Sequence, residues 1–409
     1  MLAQRVHRQL VWNFFSKATN VRSEFIRRVL ARRLILLAVI AFAAPVFAQV
    51  NAQRGPITVA LEGYANLTTG YADLGNRRDE FKDGNLRIDA AARVLARWSN
   101  PLGPDIGVRA VVEASPEDNL DFAEASLLIF GHGGRLEIGD RQGLPDVLLG
   151  YAPNNFTFTG AEFGPASGPS LDPGGGLQSA FLDGSLAAQI RELAVLGFAA
   201  SLSDDRSAKI LYVTPKAKGW LGGVSYASNA TDPRFTDLIQ AGLTHDTYWG
   251  ENVLHVGGSY SFARADHRFV EPGISLRDLH SVNLGATLVV NYDWMLGASV
   301  TYDGTSGIAR PAVGARSPSN AWGAVVSVNY NEGPWTLGAF VQRGEREGDT
   351  TRAGNNALTA FEAGLSYRVS TKVRLYGAWY AFDFDEEGGS RPEDRHRGQL
   401  VLLGLRATL

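Results

Sequence analysis

The sequence predicts an all-β fold, an antiparallel sheet rolled into a membrane-spanning barrel of 16 strands, with 18 as the alternative count. Three observations carry that prediction. An export signal opens the chain, apolar and polar residues alternate with period two almost to its end, and the connections switch between very short and long.

The export signal comes first. Arg27, Arg28, Arg32 and Arg33 precede the apolar run Leu34 to Ala43, which is too short to span a bilayer and has the length of a signal-peptide core. The small or modest side chains of Val46 and Ala48 then place cleavage before Gln49. The expected organisation is therefore a signal peptide over 1–48 and a barrel over 49–409, although residues 1–26 exceed what such a signal needs. The prefix holds 8 of the 39 Lys+Arg and 1 of the 42 Asp+Glu, so the remainder is acidic, at 31 against 41. No positive surplus is left to grip nucleic acid. Zero cysteines exclude disulfide staples and thiolate metal sites, so stability rests on a large hydrogen-bonded framework.

The alternation comes next. After Gln49 no apolar run approaches the roughly 20 residues that a membrane helix requires. In residues 279–292, Val282, Leu284, Ala286, Leu288 and Val290 share one face, opposed by Ser281, Asn283, Gly285, Thr287 and Asn291. The pattern recurs in 296–303, and again in 322–330, where Trp322, Ala324, Val326, Val328 and Tyr330 oppose Gly323, Ser327 and Asn329. Only a closed sheet carries an oily face through lipid without leaving an edge of unpaired N–H and C=O groups.

The connections complete the case. Asp293, Asn331 to Pro334 and Ser370-Thr371 are short, whereas 264–278, 304–318, 344–357 and 384–397 are long and polar. A membrane barrel makes that distinction between its two ends, and with both termini on the short-turn side the strand number is even. Tyr and Trp flank the short turns, as at Tyr248-Trp249, Trp294 and Trp335, which fits an aromatic girdle at headgroup level. Sixteen strands leave an aqueous lumen, and the inward faces read as Gly, Ser, Thr, Asn and charged residues.

Alternation also assigns the charges. In 86–98, Arg87, Asp89, Arg93 and Arg97 oppose an apolar face, while Arg109 and Glu113 in the next segment, and Arg135, Glu137 and Arg141 after that, point the same way. Arg at the midplane of the lipid face would cost about 2 to 4 kcal/mol, so these side chains belong to the lumen. Arg368, Arg374 and Arg406 join that wall if the sheet closes. The alternative for each is pairing with Asp89, Glu113 or Glu137 as a brace along the wall. Between Gln142 and about Gln178 lies a long strand-poor stretch rich in Pro and Gly.

The stretch from Phe122 to Gln142, with a Gly turn and then Gly139-Asp140-Arg141-Gln142, resembles the fourth and fifth strands of Gram-negative trimeric porins, most of all those of alphaproteobacteria. The resemblance in layout spans the whole mature chain, which departs from it by ending in Thr408-Leu409 where such porins end in Phe or Trp. It implies a homotrimer in the outer membrane, passing small hydrophilic solutes and ions. It also implies that the third loop, 142–178, folds inward and narrows the pore, with Asp146, Glu162 and Asp172 facing the arginines Arg87, Arg93, Arg97, Arg109, Arg135 and Arg141. Such opposed charges would set a transverse field.

Other functions find less in the sequence. His132, His245, His255, His267, His280 and His396 are scattered, with no Gly-x-Ser-x-Gly elbow and no His-Glu-x-x-His pair for a hydrolase. No resident cofactor is expected. The acidic residues Asp383, Asp385, Glu386, Glu387, Glu393 and Asp394 fit a solvated outer loop, or one that bridges Ca²⁺ or Mg²⁺ to lipopolysaccharide phosphates. An anion-specific channel, for instance for phosphate, is the alternative to a general pore.

Overall fold

The structure is a computed structural model, and it describes residues 50–73, 86–100, 103–115, 119–148, 206–307, 309–311, 320–347, 354–386 and 395–408. All of them lie in the compact unit Gln49–Leu409. The first hairpin joins β1 (Val50–Arg54) to β2 (Ile57–Asp73), and β3 (Leu86–Trp98), β4 (Asp105–Ser115), β5 (Asn119–Gly131) and β6 (Gly134–Asp140) follow. A short helix, α1 (Leu144–Leu148), leaves β6. Then come β7 (Ala208–Val213), β8 (Trp220–Asn229), β9 (Phe235–Trp249) and β10 (Asn252–Ala265). The miniature pair β11 (Ile274–Leu276) and β14 (Ala309–Pro311) joins two long connections around β12 (Leu279–Val290) and β13 (Trp294–Gly304). The series ends with β15 (Ala321–Glu332), β16 (Trp335–Glu347), β17 (Asn355–Arg368), β18 (Val373–Asp385) and β19 (Arg395–Thr408).

Each strand of the main sheet pairs antiparallel with its predecessor, and β19 pairs with β2, which closes the ring. Sixteen positions go around it. The short β1 takes no position of its own, because it lies on the same side of β2 as β19. Val50 stands opposite Leu61 and Thr408 opposite Tyr64, so β1 continues the rung that β19 leaves. The count of 16 holds, and the alternative of 18 is set aside.

Exposure follows the alternation. Val282, Leu284, Leu296, Val300, Val326, Val341, Leu365, Val401 and Leu403 face outward and are exposed, as a lipid-bathed surface must be. Ser281, Asn283, Thr287, Ser299, Thr301, Ser327 and Asn329 lie on the opposite face and are buried within the ring. Short turns reverse the chain at one end. Asn291 (φ 51°) and Tyr292 (φ 63°) adopt the left-handed backbone at the centre of the tight turn closed by the Asp293 N–H donating to the Val290 carbonyl at 3.2 Å, and Gly333 (φ 57°) does so beside Pro334. These turns are stitched together, with Asn331 N–H donating to the Asp293 carbonyl at 2.8 Å and Arg368 N–H to that of Pro334 at 2.8 Å.

The outer surface differs between its two ends. Trp98, Trp220, Trp249, Trp294, Trp335 and Tyr367 ring the short-turn end, with Trp294 against Tyr330 at 4.7 Å and Trp335 against Tyr367 at 4.5 Å between ring centroids. The long-loop end carries ion pairs instead: Arg264 with Asp237 at 3.1 Å, Arg397 with Asp383 at 2.8 Å, Arg395 with Asp385 at 3.4 Å, and Arg343 with Glu345.

One expectation fails over part of the wall. The inner face of β16 to β19 is largely apolar away from the short turns, for Phe340, Leu358, Ala360, Ala378, Tyr380, Phe382, Phe384, Leu400 and Leu402 all point inward by register, none more than 5 % exposed, with Gln342 and Glu362 buried polar residues among them. From Leu375 to Phe382 both faces of β18 are aromatic or aliphatic, so alternation offers little contrast there from which an inner face can be told. A second apolar cluster, Phe235, Leu238, Ala263, Leu276 and Leu279, packs beneath the β11–β14 pair at the long-loop end.

Candidate functional site

The inner wall of β4 to β7 gathers most of the charge whose side chains are described. Arg109 on β4 meets Glu124 on β5 at 2.7 Å, and Arg135 meets Glu137 on β6 at 2.8 Å. Arg141, just past β6, bridges both carboxylates at 3.0 Å each and is 1 % exposed. Its guanidinium also donates to the Gln142 Oε1 at 3.3 Å. Lys209 on β7, 4 % exposed, shares the inner face next to Gly139. Among the residues whose side chains are described, Arg109, Arg135, Arg141 and Lys209 thus share this wall with Glu124 and Glu137, and Glu113 and Asp121 stand opposite one another further along β4 and β5. Arg141 hydrogen-bonds both Glu124 and Glu137, and buried groups held in this way keep their charges in place.

Arg97 faces inward too, but it stands near the short-turn mouth. Its guanidinium pairs with Asp105 at 2.5 Å and lies 4.8 Å from the centre of the Phe130 ring, while Asp105 also accepts the Asn100 N–H at 2.9 Å. That arrangement clamps the β3–β4 turn. Arg87 and Arg93 occupy β3 in the predicted register, Arg93 opposite Glu62 and Val111, with side chains outside the described residues. Asp146 lies in α1 with its side chain likewise outside them, and Glu162 and Asp172 fall wholly outside, as do Glu113's side chain and the weakly patterned stretch 177–203.

The chain after β6 turns into the ring. Leu144 and Leu148 of α1 are buried against Leu211 and Val213, with Val147 and Leu221 packed alongside. Leu211, Val213, Gly223 and Gly242 share the inner face by register, so α1 lies inside the barrel. A Cβ at Gly223 would come within 2.8 Å of Leu144 Cδ1, and one at Gly242 within 3.0 Å of Leu148 Cδ1, which is why those strand positions are bare. The Leu144 N–H donates to Gln240 Oε1 at 2.9 Å, anchoring the helix start.

Sequence reasoning missed Glu124, Gln240 and Lys209. Glu124 was hidden by a bulge, because Val111 faces Glu124 while the adjacent Val112 faces Phe122, and the extra Ala123 reverses the alternation along β5. Gln240 sits on a strand whose in-facing residues look like any polar lumen wall; it bonds Ser225 and Ser261 on either side, and its link to α1 shows only once the chain is folded. Nearer the short-turn end, Asp246 joins His255 at 2.7 Å and Lys216. His396 pairs with Glu386 at 3.5 Å, and Asp383 and Asp385 belong to β18, each held by an arginine of β19. Among the described residues no group of three or more His, Cys, Asp or Glu side chains could hold a metal ion. Glu387, Glu393 and Asp394 lie outside them.

The profile of the Gram-negative porin family matches residues 35–387. The chain belongs to that family. It is accordingly a multi-pass outer-membrane barrel of a Gram-negative bacterium. No curated protein matches the sequence significantly. Solved outer-membrane protein structures share the fold of this porin at low identity. An anion-selective porin from Comamonas acidovorans aligns with TM-score 0.56 and 14 % identity over 86 % of this chain and 100 % of that one. A mutant of the Rh. blastica porin aligns with TM-score 0.53 and 14 % identity over 86 % and 100 %. The trimer form of OmpT, an outer membrane protein of Vibrio cholerae, gives 0.56 and 14 % over 86 % and 99 %.

Proposed function

We propose that this porin forms a water-filled channel for passive diffusion of small hydrophilic solutes and ions, working as a homotrimer seated among lipopolysaccharide. The observation that carries the reading is a ring of sixteen strands closed without an edge, polar inside over β9 to β15 and charged inside over β4 to β7. The proposal includes cleavage after Ala48, immediately ahead of β1, and a constriction built by 142–178 with Asp146, Glu162 and Asp172 facing the arginine wall. The inward course of α1 supports the constriction. So does the largely apolar stretch of the inner wall of β16 to β19, on the far side of the ring, since apolar side chains suit a segment packed within the lumen. A chemical reaction is no part of the proposal, because the histidines of the described strands are dispersed and engaged in separate local pairs.

Liposome swelling tests the channel: entry of small sugars at a rate falling smoothly with solute size supports it, and liposomes that stay impermeable refute it. The three arginines and Lys209 gathered on the β4 to β7 wall favour a second reading, an anion-preferring lumen, as the printed name of the Comamonas porin says of that protein. Reversal potential in a salt gradient separates the two. Neutralising Arg135 in Arg135→Gln is expected to shift it towards cation preference, and an unshifted potential would remove the wall from selectivity. Bridging of outer-loop carboxylates to lipopolysaccharide by Ca²⁺ or Mg²⁺ is proposed as well, and loop protection from protease that is indifferent to chelator would refute it.

A further inference from the structure

Three arginines stand side by side across adjacent strands at the short-turn mouth of the lumen. Arg368 on β17 is directly opposite Arg374 on β18, and Arg374 is directly opposite Arg406 on β19. All three occupy inward positions, in step with the buried Ser366, Ala378 and Leu402 further along the same strands. Adjacent strands lie about 4.8 Å apart, so the row spans about 10 Å. The continuation of the row is Asn66 on β2 and Asp89 on β3.

Like charges directly opposite one another oppose sheet pairing, and a barrel under no other demand places unlike charges there. These same two strands do so at their other end, where Asp383 faces Arg397 and Asp385 faces Arg395 on the outer surface. The inner row breaks that rule twice in succession. Arg368 is also held in position. An Arg368 guanidinium N–H donates to the Gly333 carbonyl at 2.9 Å, Arg374 and Arg406 each keep an interaction within the chain, and Tyr376 leans over Gly404, one step further into the pore. A planar guanidinium offers paired N–H groups that match two oxygens of a tetrahedral oxyanion.

We propose that Arg368, Arg374 and Arg406 form an oxyanion site for phosphate or a phosphorylated solute at the short-turn mouth, the last station before release on that side. The proposal rests on the reading of the barrel as an open pore, and it adds a ligand class and a location to it. It is separate from the β4 to β7 wall.

The test uses the purified full protein in planar bilayers, with chloride current recorded as inorganic phosphate is added to one face. The expected result is a saturable block, stronger from the short-turn face, whose half-blocking concentration rises at least tenfold in Arg368→Gln/Arg374→Gln/Arg406→Gln. Arg374→Lys/Arg406→Lys, which keeps charge but not the fork, should fall between. Heat-modifiable electrophoretic migration confirms that each variant folds, and the single Arg374→Gln substitution serves if the triple one does not. A wild-type current that phosphate does not saturably block, or a half-blocking concentration unchanged in the variants, overturns the site. If Asp89 were the row's whole purpose, the variants would leave phosphate block unchanged, which is that second outcome. A wild-type barrel that does not conduct would instead refute the pore, and calorimetric titration with phosphate would still decide the site.

Discussion

Glu124 holds two guanidinium groups at once, those of Arg109 and Arg141, in a setting where all three are nearly inaccessible to solvent. Removing one partner of a buried pair leaves uncompensated charge, so Glu124→Gln should destabilise the barrel by about 3 to 5 kcal/mol. The urea midpoint for loss of the compact, heat-modifiable form measures this, and a midpoint equal to wild type would mean that water reaches these groups and screens them. The inward aim of Arg109, Arg135 and Arg141 was legible from alternation alone. Glu124, the partner that Arg109 and Arg141 share, was not, because one inserted residue at Ala123 turns the parity of β5, and period-two reasoning has no means of locating a bulge inside an otherwise regular strand.

At the scale of elements, α1 depends on two strand positions without side chains. Gly223→Val puts methyl groups where Leu144 lies, and a Cβ alone would already stand 2.8 Å from the Tyr212 carbonyl oxygen. The expected outcome is an altered single-channel conductance in a barrel that still closes, and an unchanged conductance would show that α1 does not set the course of the chain within the lumen. The 266–278 connection offers a pH test. Asp266 caps the turn His267–Phe269, and hydrogen bonds from the Arg268 side chain and then its backbone N–H hold the carboxyl down at about 2 against an ordinary value of 3.8. A depressed carboxylate stabilises the folded loop at every pH above the ordinary value and loses that contribution as pH falls towards 2. Pepsin cleavage within 266–278 should therefore climb across that interval in wild type and be high throughout it in Asp266→Asn. Identical pH profiles for the two would exclude the cap. The long connections themselves were legible by composition, but β11 and β14 were not, since three-residue strands are too short to show a period.

For the whole molecule, closure is shared between the two ends of the described chain. β1 completes the rung begun by β19, so deleting residues 50–54 would leave Ile57 to Leu61 with no partner on one side and backbone groups bare to lipid, each costing several kcal/mol. The unfolding temperature of that deletion should drop well below wild type, and an equal temperature would show that β1 is dispensable. Ring closure and strand number could be read from turn lengths and parity. The apolar sector of wall could not, because β18 is apolar on both sides from Leu375 to Phe382 and only its neighbours decide which side faces inward. The contrast between the two outer belts has a further consequence. Trp335 and Arg343 stand eight residues apart on β16, which at roughly 3.3 Å per residue and a tilt near 40° is about 20 Å of height. The protein therefore carries a gauge of hydrocarbon thickness, shorter than the roughly 30 Å core of an average bilayer. In such a bilayer either the lipids compress around it or charged pairs sink into acyl chains, so mismatch alone biases its residence towards the thinner of two membranes.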